Sequence, residues 1–174
     1  MDILVAYATC HGSTRSVAER IAARFVEAGH RVDLRPAADA PQTSRYDVVV
    51  IGSAIHNGDW LPDAAEFLHR HARELARRRV WLFNVSLASS LRGRRGHWLA
   101  AHVKESPAVA RDHAVVHPQD VHSFAGALKH EHIPALSRPL LWACGGRFGD
   151  FRNWAEIDDW AVGIARELVR PVSR

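Results

Sequence analysis

The sequence predicts an α/β fold in which five parallel strands form one sheet with helices on both faces. Short β-branched runs alternate along the chain with longer segments of helical period, and this alternation is typical of parallel strands joined by helices. Three of the runs, Ile3–Ala8, Tyr46–Gly52 and Val80–Val85, are apolar almost throughout, as strands covered on both faces should be. With 174 residues, 47% of them apolar, we expect a single domain over residues 1–174.

Two weaker runs complete the predicted sheet. Arg31–Arg35 is a shorter, more polar second strand, and Asp120–Phe124 is the fifth. Two long stretches, Ser90–Pro118 and Lys129–Phe151, do not fit the alternation. We interpret the first as a long insertion near strand five, with a short helix around Trp98–Lys104.

Helical period predicts three helices. The first begins at Ser13 or Thr14 and ends before Gly29, which suits the left-handed residue that follows a helix. The second begins at Pro62, and the third covers Trp154–Val169. The residues expected to face the core are Val17, Ile21 and Phe25, then Ala65, Leu68, Ala72 and Leu75, and finally Ile157, Trp160 or Ala161, Ile164 and Leu168.

Charge and cysteine content limit the classes of function. The 23 basic and 19 acidic residues give a net charge of +4, and the basic residues are spread among acids, so we expect no nucleic-acid partner. Cys10 and Cys144 are too few for a disulfide framework or a multi-cysteine metal site, which favours a reducing cytoplasm. We interpret Met1–Tyr7 as the first strand rather than a leader, and no segment is apolar for long enough to span a bilayer.

The loop after the first strand carries the main chemical signal. It contains Thr9, Cys10, His11, Gly12, Ser13 and Thr14 and leads directly into the first helix. A helix N-terminus presents unpaired N–H groups and a partial positive charge, and a glycine lets the backbone wrap closely around an anion. The sequence therefore predicts an anion site, such as one for a phosphate group. The alternative is that Ser13 or Thr14 only caps the helix.

Polar loops also follow the third and fourth predicted strands, where ligands of open parallel sheets lie. After the third strand, Asn57-Gly58 can form a tight turn that offers backbone groups to a planar ring. Asn84 and Ser86 end the fourth strand at the same edge. Trp60 either covers a face of that ring or packs on the surface as an aromatic side chain at a helix start.

These segments together resemble the flavodoxins. His11-Gly12-Ser13-Thr14 stands where the flavodoxin phosphate loop usually reads T-G-N-T. The sequence is more similar to the menaquinone-dependent protoporphyrinogen oxidases, flavodoxin-like proteins with a long insertion near strand five. Tyr46–Gly58 resembles that group's third strand and ring loop, Phe83–Leu87 its fourth strand end and Phe124–Leu128 its fifth.

The resemblance implies that the cofactor is FMN. Thr9 and His11–Thr14 would hold its phosphate, Ala54–Gly58 would line one side of the isoalloxazine, and Ser86 with Leu87 would approach the other edge. The cofactor-binding residues implied in this way are Thr9, Cys10, His11, Gly12, Ser13, Thr14, Ala54, Ile55, His56, Asn57, Gly58, Asn84, Ser86 and Leu87. We assign no catalytic side chain, because in flavoproteins the cofactor carries the chemistry.

The resemblance further implies an FMN-dependent oxidoreductase that oxidises a protoporphyrinogen-like or other anionic substrate with a quinone acceptor, in peripheral contact with the membrane. The alternative is an electron carrier that serves a protein redox partner. Carrier flavodoxins are typically acidic, so the basic charge favours the enzyme. Arg92, Arg94 and Arg95 follow the fourth strand at the flavin's edge, and we expect them to recruit an anionic substrate or an acidic redox partner unless they are merely solvated.

Overall fold

Parallel strands form the centre of this computed structural model, which describes residues 1–56, 58–86, 107–128 and 149–169. The strands are β1 (Asp2–Ala8), β2 (Arg31–Pro36), β3 (Val48–His56), β4 (Asp59–Trp60), β5 (Arg79–Ser86), β6 (Asp120–Ala125), β7 (Ala127–Leu128) and β8 (Gly149–Asp150). Five of them form a parallel sheet in the order β2-β1-β3-β5-β6, which confirms the predicted fold class. The short strands β7 and β8 pair with each other in antiparallel fashion.

The third strand is longer than the sequence predicts. It continues past Gly52 to His56 because β4 turns back and pairs with its end. Ile55 lies opposite Trp60, and His56 lies opposite Asp59. The polar loop after the third strand is therefore a small antiparallel hairpin that extends one strand of the parallel sheet.

Four helices cover the sheet in the described part of the chain. They are α1 (Ser13–Glu27), α2 (Pro62–Leu75), α3 (Pro107–Val116) and α4 (Trp154–Val169). The predicted helices correspond to α1, α2 and α4, and Gly29 has the expected positive φ of 85° after α1. The helix α3 lies in the stretch predicted to be an insertion, while the helix expected at 98–104 lies outside the described residues.

Two cores lie on opposite faces of the sheet, because successive side chains of a strand alternate between faces. On one face, Ile3 and Val5 of β1 pack with α1 and α4; on the other, Leu4 and Ala6 pack with α2 and α3. The predicted inward stripes are buried except at Ala65, which is only half-buried because Ala64 and Phe67 face the core. Of the two alternatives in the last helix, Ala161 is the buried one and Trp160 is half-buried beside it.

The order of the strands creates a crevice between β1 and β3. The chain leaves β1 through α1 on one face and leaves β3 through α2 on the other. Where connections diverge to opposite faces in this way, a ligand crevice opens beyond the carboxyl ends of the strands. None of the described helices has the length and apolar character needed to cross a membrane.

Candidate functional site

The strand register brings the predicted loops to one edge of the sheet. Ala8 at the end of β1 lies opposite Ser53 of β3, and Ser53 lies opposite Asn84 of β5. Asn84 in turn lies opposite Ser123 of β6. The loop after β1, the hairpin after β3 and the end of β5 therefore begin from the same level of the sheet and surround the crevice between β1 and β3.

The loop between β1 and α1 is held by its own hydrogen bonds. The Thr9 hydroxyl oxygen accepts a 2.9 Å hydrogen bond from the backbone N–H of Gly12. The Gly12 carbonyl then accepts hydrogen bonds from the backbone N–H and the hydroxyl of Ser16, at 3.1 and 3.0 Å. Gly12 has a φ of 84°, in the left-handed region that an L side chain rarely adopts. The tight turn therefore requires a glycine at this position.

The first turn of α1 is open to an anion. Gly12 is the N-cap residue, no side chain of the described residues caps the helix, and the first turn contains no acidic residue. The alternative in which Ser13 or Thr14 caps the helix is therefore wrong. The first backbone N–H groups of a helix have no partner within it, and they carry the positive end of its dipole.

Thr14 provides the test of whether this loop fits a phosphate. Its side chain is fully buried, and its hydroxyl oxygen has no hydrogen-bond partner among the described residues. An unsatisfied buried hydroxyl costs about 1–3 kcal/mol, and buried polar groups in proteins are nearly always bonded. A phosphate oxygen would accept this hydrogen bond, so the loop fits the phosphate of a flavin nucleotide.

The other predicted residues of this loop are more open. Cys10 and His11 are exposed, and Ser13 is half-buried. Gly126, just after β6, donates its backbone N–H to the carbonyl of Ser86 at 3.1 Å. A Cβ atom on Gly126 would lie 3.9 Å from the Ser13 hydroxyl, so the end of β6 also borders this loop. Sequence reasoning used Gly126 only as part of a resemblance.

The hairpin after β3 presents its tip and buries its base. Ala54, Ile55 and Gly58 are half-buried and His56 is exposed, while Asn57 lies outside the described residues. Trp60 is only 4% exposed and packs edge-on against His113 of α3, with ring centroids 5.3 Å apart. Trp60 therefore packs against protein side chains, as the packing alternative predicted, but it lies in the core beneath the hairpin and not on the surface.

Ser53 is the residue at this edge that sequence reasoning missed. Its side chain is fully buried, its hydroxyl donates to the carbonyl of Ala54 at 2.9 Å, and its oxygen accepts from the backbone N–H of Leu61 at 2.9 Å. A serine beside glycine in an apolar strand was the available signal. The bond to Leu61 could not be inferred, because it exists only once the chain has folded back.

The end of β5 supplies the opposite side of the crevice. Asn84 is half-buried and Ser86 is buried, while Leu87 and the arginines at 92, 94 and 95 lie outside the described residues. Arg78 and Arg79 lie at the other end of the sheet, where they donate to the carbonyls of Ser44 and Glu167. They are therefore remote from the crevice.

Comparison with known proteins identifies the fold family. The sequence profile of the flavodoxin domain matches residues 4–144, which is most of the chain. The chain belongs to the flavodoxin domain family. Membership agrees with the crevice described above, and it implies that this flavodoxin-domain protein binds a flavin.

One sequence relative and two solved structures are also similar to this chain. Protoporphyrinogen IX dehydrogenase (quinone) of Escherichia coli strain K12 is 26% identical over 178 aligned residues, which cover 97% of this chain and 94% of that protein. A flavodoxin from the domain Archaea has a TM-score of 0.61 at 12% identity and covers 98% of this chain and 100% of its own. Flavodoxin 2 of Bacillus cereus has a TM-score of 0.62 at 17% identity, with coverages of 96% and 99%. The structures share the fold, and the dehydrogenase is a distant relative.

Proposed function

We propose that this flavodoxin-domain protein binds FMN and is an oxidoreductase that takes electrons from a protoporphyrinogen-like or other anionic substrate and delivers them to a quinone. The observation that carries the FMN assignment is the buried hydroxyl of Thr14, which has no hydrogen-bond partner among the described residues and lies on the first turn of α1, where none of those residues provides a side-chain cap. A nucleotide phosphate meets both the hydrogen-bonding need and the electrostatic preference of that turn.

The residues divide into three groups around the proposed FMN. Thr9 and His11–Thr14 hold the phosphate, with Cys10 in the same loop. Ala54–Gly58 line one side of the isoalloxazine, and Asn84, Ser86 and Leu87 approach its other edge. The flavin supplies the transfer of electrons, so these residues bind it, orient its ring and control which molecules reach it.

Two observations support the enzyme over an electron carrier. The dehydrogenase relative aligns with nearly the full length of this chain, and its name states the oxidation of protoporphyrinogen IX with a quinone. The chain also carries a net charge of +4, which attracts an anionic substrate. A quinone acceptor further implies peripheral contact with a membrane, which co-sedimentation with anionic lipid vesicles tests.

The first experiment is an absorption spectrum of the purified protein, followed by FMN titration of the apo-protein monitored by flavin fluorescence. We expect flavin bands and saturable one-to-one binding. Absence of both would overturn the FMN assignment. The FMN-loaded protein is then assayed for oxidation of protoporphyrinogen with a menaquinone or ubiquinone analogue. Reduction of the bound flavin by porphyrinogen supports the enzyme, whereas exchange of electrons only with redox proteins supports the carrier.

A further inference from the structure

We propose that Ser53 is a positioning residue, whose buried hydroxyl fixes the ring loop, meaning the described residues 54–56 and 58–60, and thereby sets how that loop meets the FMN ring. The inference rests on the proposed function, because it concerns the same cofactor. It adds a residue that does not touch the cofactor but controls the reduction potential and affinity through the shape of the loop.

Ser53 joins the two ends of the ring loop. Its hydroxyl donates to the carbonyl of Ala54, the first residue of the loop, at 2.9 Å. The same oxygen accepts from the backbone N–H of Leu61, directly after the loop, at 2.9 Å. A single hydroxyl therefore closes the loop at its base. Because these two bonds use its donor and an acceptor position, and the side chain is fully buried, it acts through the loop.

The position of Ser53 in the sheet makes it sensitive to the whole crevice. It lies between Ala8, which precedes the phosphate loop, and Asn84 at the end of β5. Loss of the hydrogen bonds of Ser53 would therefore disturb the sheet at the point from which the loop after β1, the hairpin after β3 and the end of β5 all extend.

Other contacts also hold the base of the ring loop. Ile55 pairs with Trp60 across the hairpin, and the Asp59 carboxylate accepts the backbone N–H of Trp60 at 2.8 Å. Trp60 is anchored in the core. Loss of the Ser53 bonds would leave the Leu61 N–H without its acceptor at the one point where the hairpin rejoins the chain. The loop would then shift relative to residues 48–53 of β3 and to the flavin.

The test compares Ser53→Ala with Thr43→Val. Thr43 is an equally buried hydroxyl, and it donates to the Glu74 carboxylate at 2.6 Å near the opposite end of the sheet. Both variants lose a buried hydrogen bond, so both lower the melting temperature. We expect Ser53→Ala alone to raise the FMN dissociation constant about tenfold, to shift the flavin reduction potential and to change the visible spectrum. Hydrogen exchange at the Leu61 amide should also accelerate in the apo-protein.

The outcomes separate this inference from the proposed function. If the wild-type chain takes up no FMN, the proposed function and this inference both fail. If the wild type binds FMN and Ser53→Ala keeps the affinity, spectrum and potential of the wild type, only the inference fails. It also fails if Thr43→Val shifts the potential equally. Should Ser53→Ala not fold, Ser53→Cys replaces it, because a thiol of similar size forms weaker hydrogen bonds; its potential should shift in the same direction.

Discussion

At the scale of single residues, the ring of Phe83 occupies the space that a side chain at Gly52 would need. A Cβ atom on Gly52 would lie 2.0 Å from the Cζ atom of Phe83. The Phe83 ring is fully buried between the sheet and the two helices α1 and α4. Such a distance is far below any van der Waals contact. The position of the Phe83 ring on the neighbouring strand β5 therefore requires a glycine in the middle of β3.

We expect Gly52→Ala to lower the free energy of unfolding by about 1–3 kcal/mol, because Phe83 must leave its position in a closely packed core. Urea denaturation of the apo-protein measures the change. Gly163→Ala in α4 is the matched control, since beyond the adjacent residues and backbone of its own helix none of the described residues comes within 4 Å of the added methyl group. The control should stabilise the helix by about 0.5–1 kcal/mol. Equal effects of the two substitutions would contradict the steric explanation.

The pKa of Tyr46 gives a second testable prediction for a single residue. Burial and the 2.7 Å hydrogen bond that its hydroxyl donates to Asp33 raise the pKa of Tyr46 to about 12. Since the folded pKa exceeds the unfolded value of about 10, this contribution to stability is complete below pH 10 and is lost as the pH rises towards 12. Absorbance at 295 nm should therefore show a tyrosine that titrates near pH 12 in the folded protein. This step should disappear in Tyr46→Phe, and its persistence there would refute the assignment.

At the scale of elements, one carboxylate joins α1 to α4. Asp158 of α4 accepts two hydrogen bonds of 2.6 Å from the guanidinium of Arg20, and Arg24 lies 3.4 Å away. The hydrogen bond from Arg20 holds the pKa of Asp158 below its ordinary value, although burial opposes this shift. The pair connects two helices that are far apart in sequence and lie on the same face of the sheet.

Asp158→Asn should lower the melting temperature at pH 7, because the paired charge is lost. A carboxylate with a depressed pKa stabilises the fold above its unfolded pKa of about 3.9, and the contribution disappears as the pH falls through the lower folded value. The difference between variant and wild type should therefore shrink towards pH 2. Glu19→Gln, which breaks an exposed pair with Arg15 inside α1, is the control and should change the melting temperature less. A difference that persists undiminished at pH 2 would contradict the charge explanation.

The helices also show why some elements were predictable from the sequence and one was not. In α1, α2 and α4 an apolar stripe of helical period faces the sheet, so local sequence predicts both the helix and its buried side. In the part of α3 whose side chains are described, residues 109–116, the buried residues are Val109, Asp112 and Val116, and Asp112 interrupts the stripe. Its carboxylate meets the ring of His69 on α2 at 3.2 Å. A helix docked partly by a polar pair between distant segments gives little signal in its own sequence.

At the scale of the whole molecule, the sheet assembles the site from segments that are individually weak signals. The proposed phosphate loop was predictable because its glycine, hydroxyls and helix start are contiguous in sequence. The role of Ser53 was not, because its partner Leu61 comes within reach only through the β3–β4 hairpin. The proximity of Gly126 to Ser13 likewise depends on strand order. Local chemistry is readable from the sequence, whereas closure of the crevice depends on tertiary structure.

The Thr14 hydroxyl, which has no hydrogen-bond partner in the described part of the chain, links the stability of the whole molecule to the proposed cofactor. Thr14→Val keeps the shape of the side chain and removes a buried polar group, so the apo-protein should become more stable by about 1 kcal/mol.

The same change removes a bond to the phosphate and should weaken FMN binding. With FMN at 100 times its dissociation constant, binding adds about 2.7 kcal/mol to the wild-type free energy of unfolding, and the variant should gain less at the same concentration. Urea denaturation with and without FMN measures the stability of the apo-protein and the increment that FMN adds. Thr43→Val is the control, because it should lose apo-stability and keep the full FMN increment. A Thr14→Val variant that is less stable without FMN would show that its hydroxyl is already satisfied within the protein.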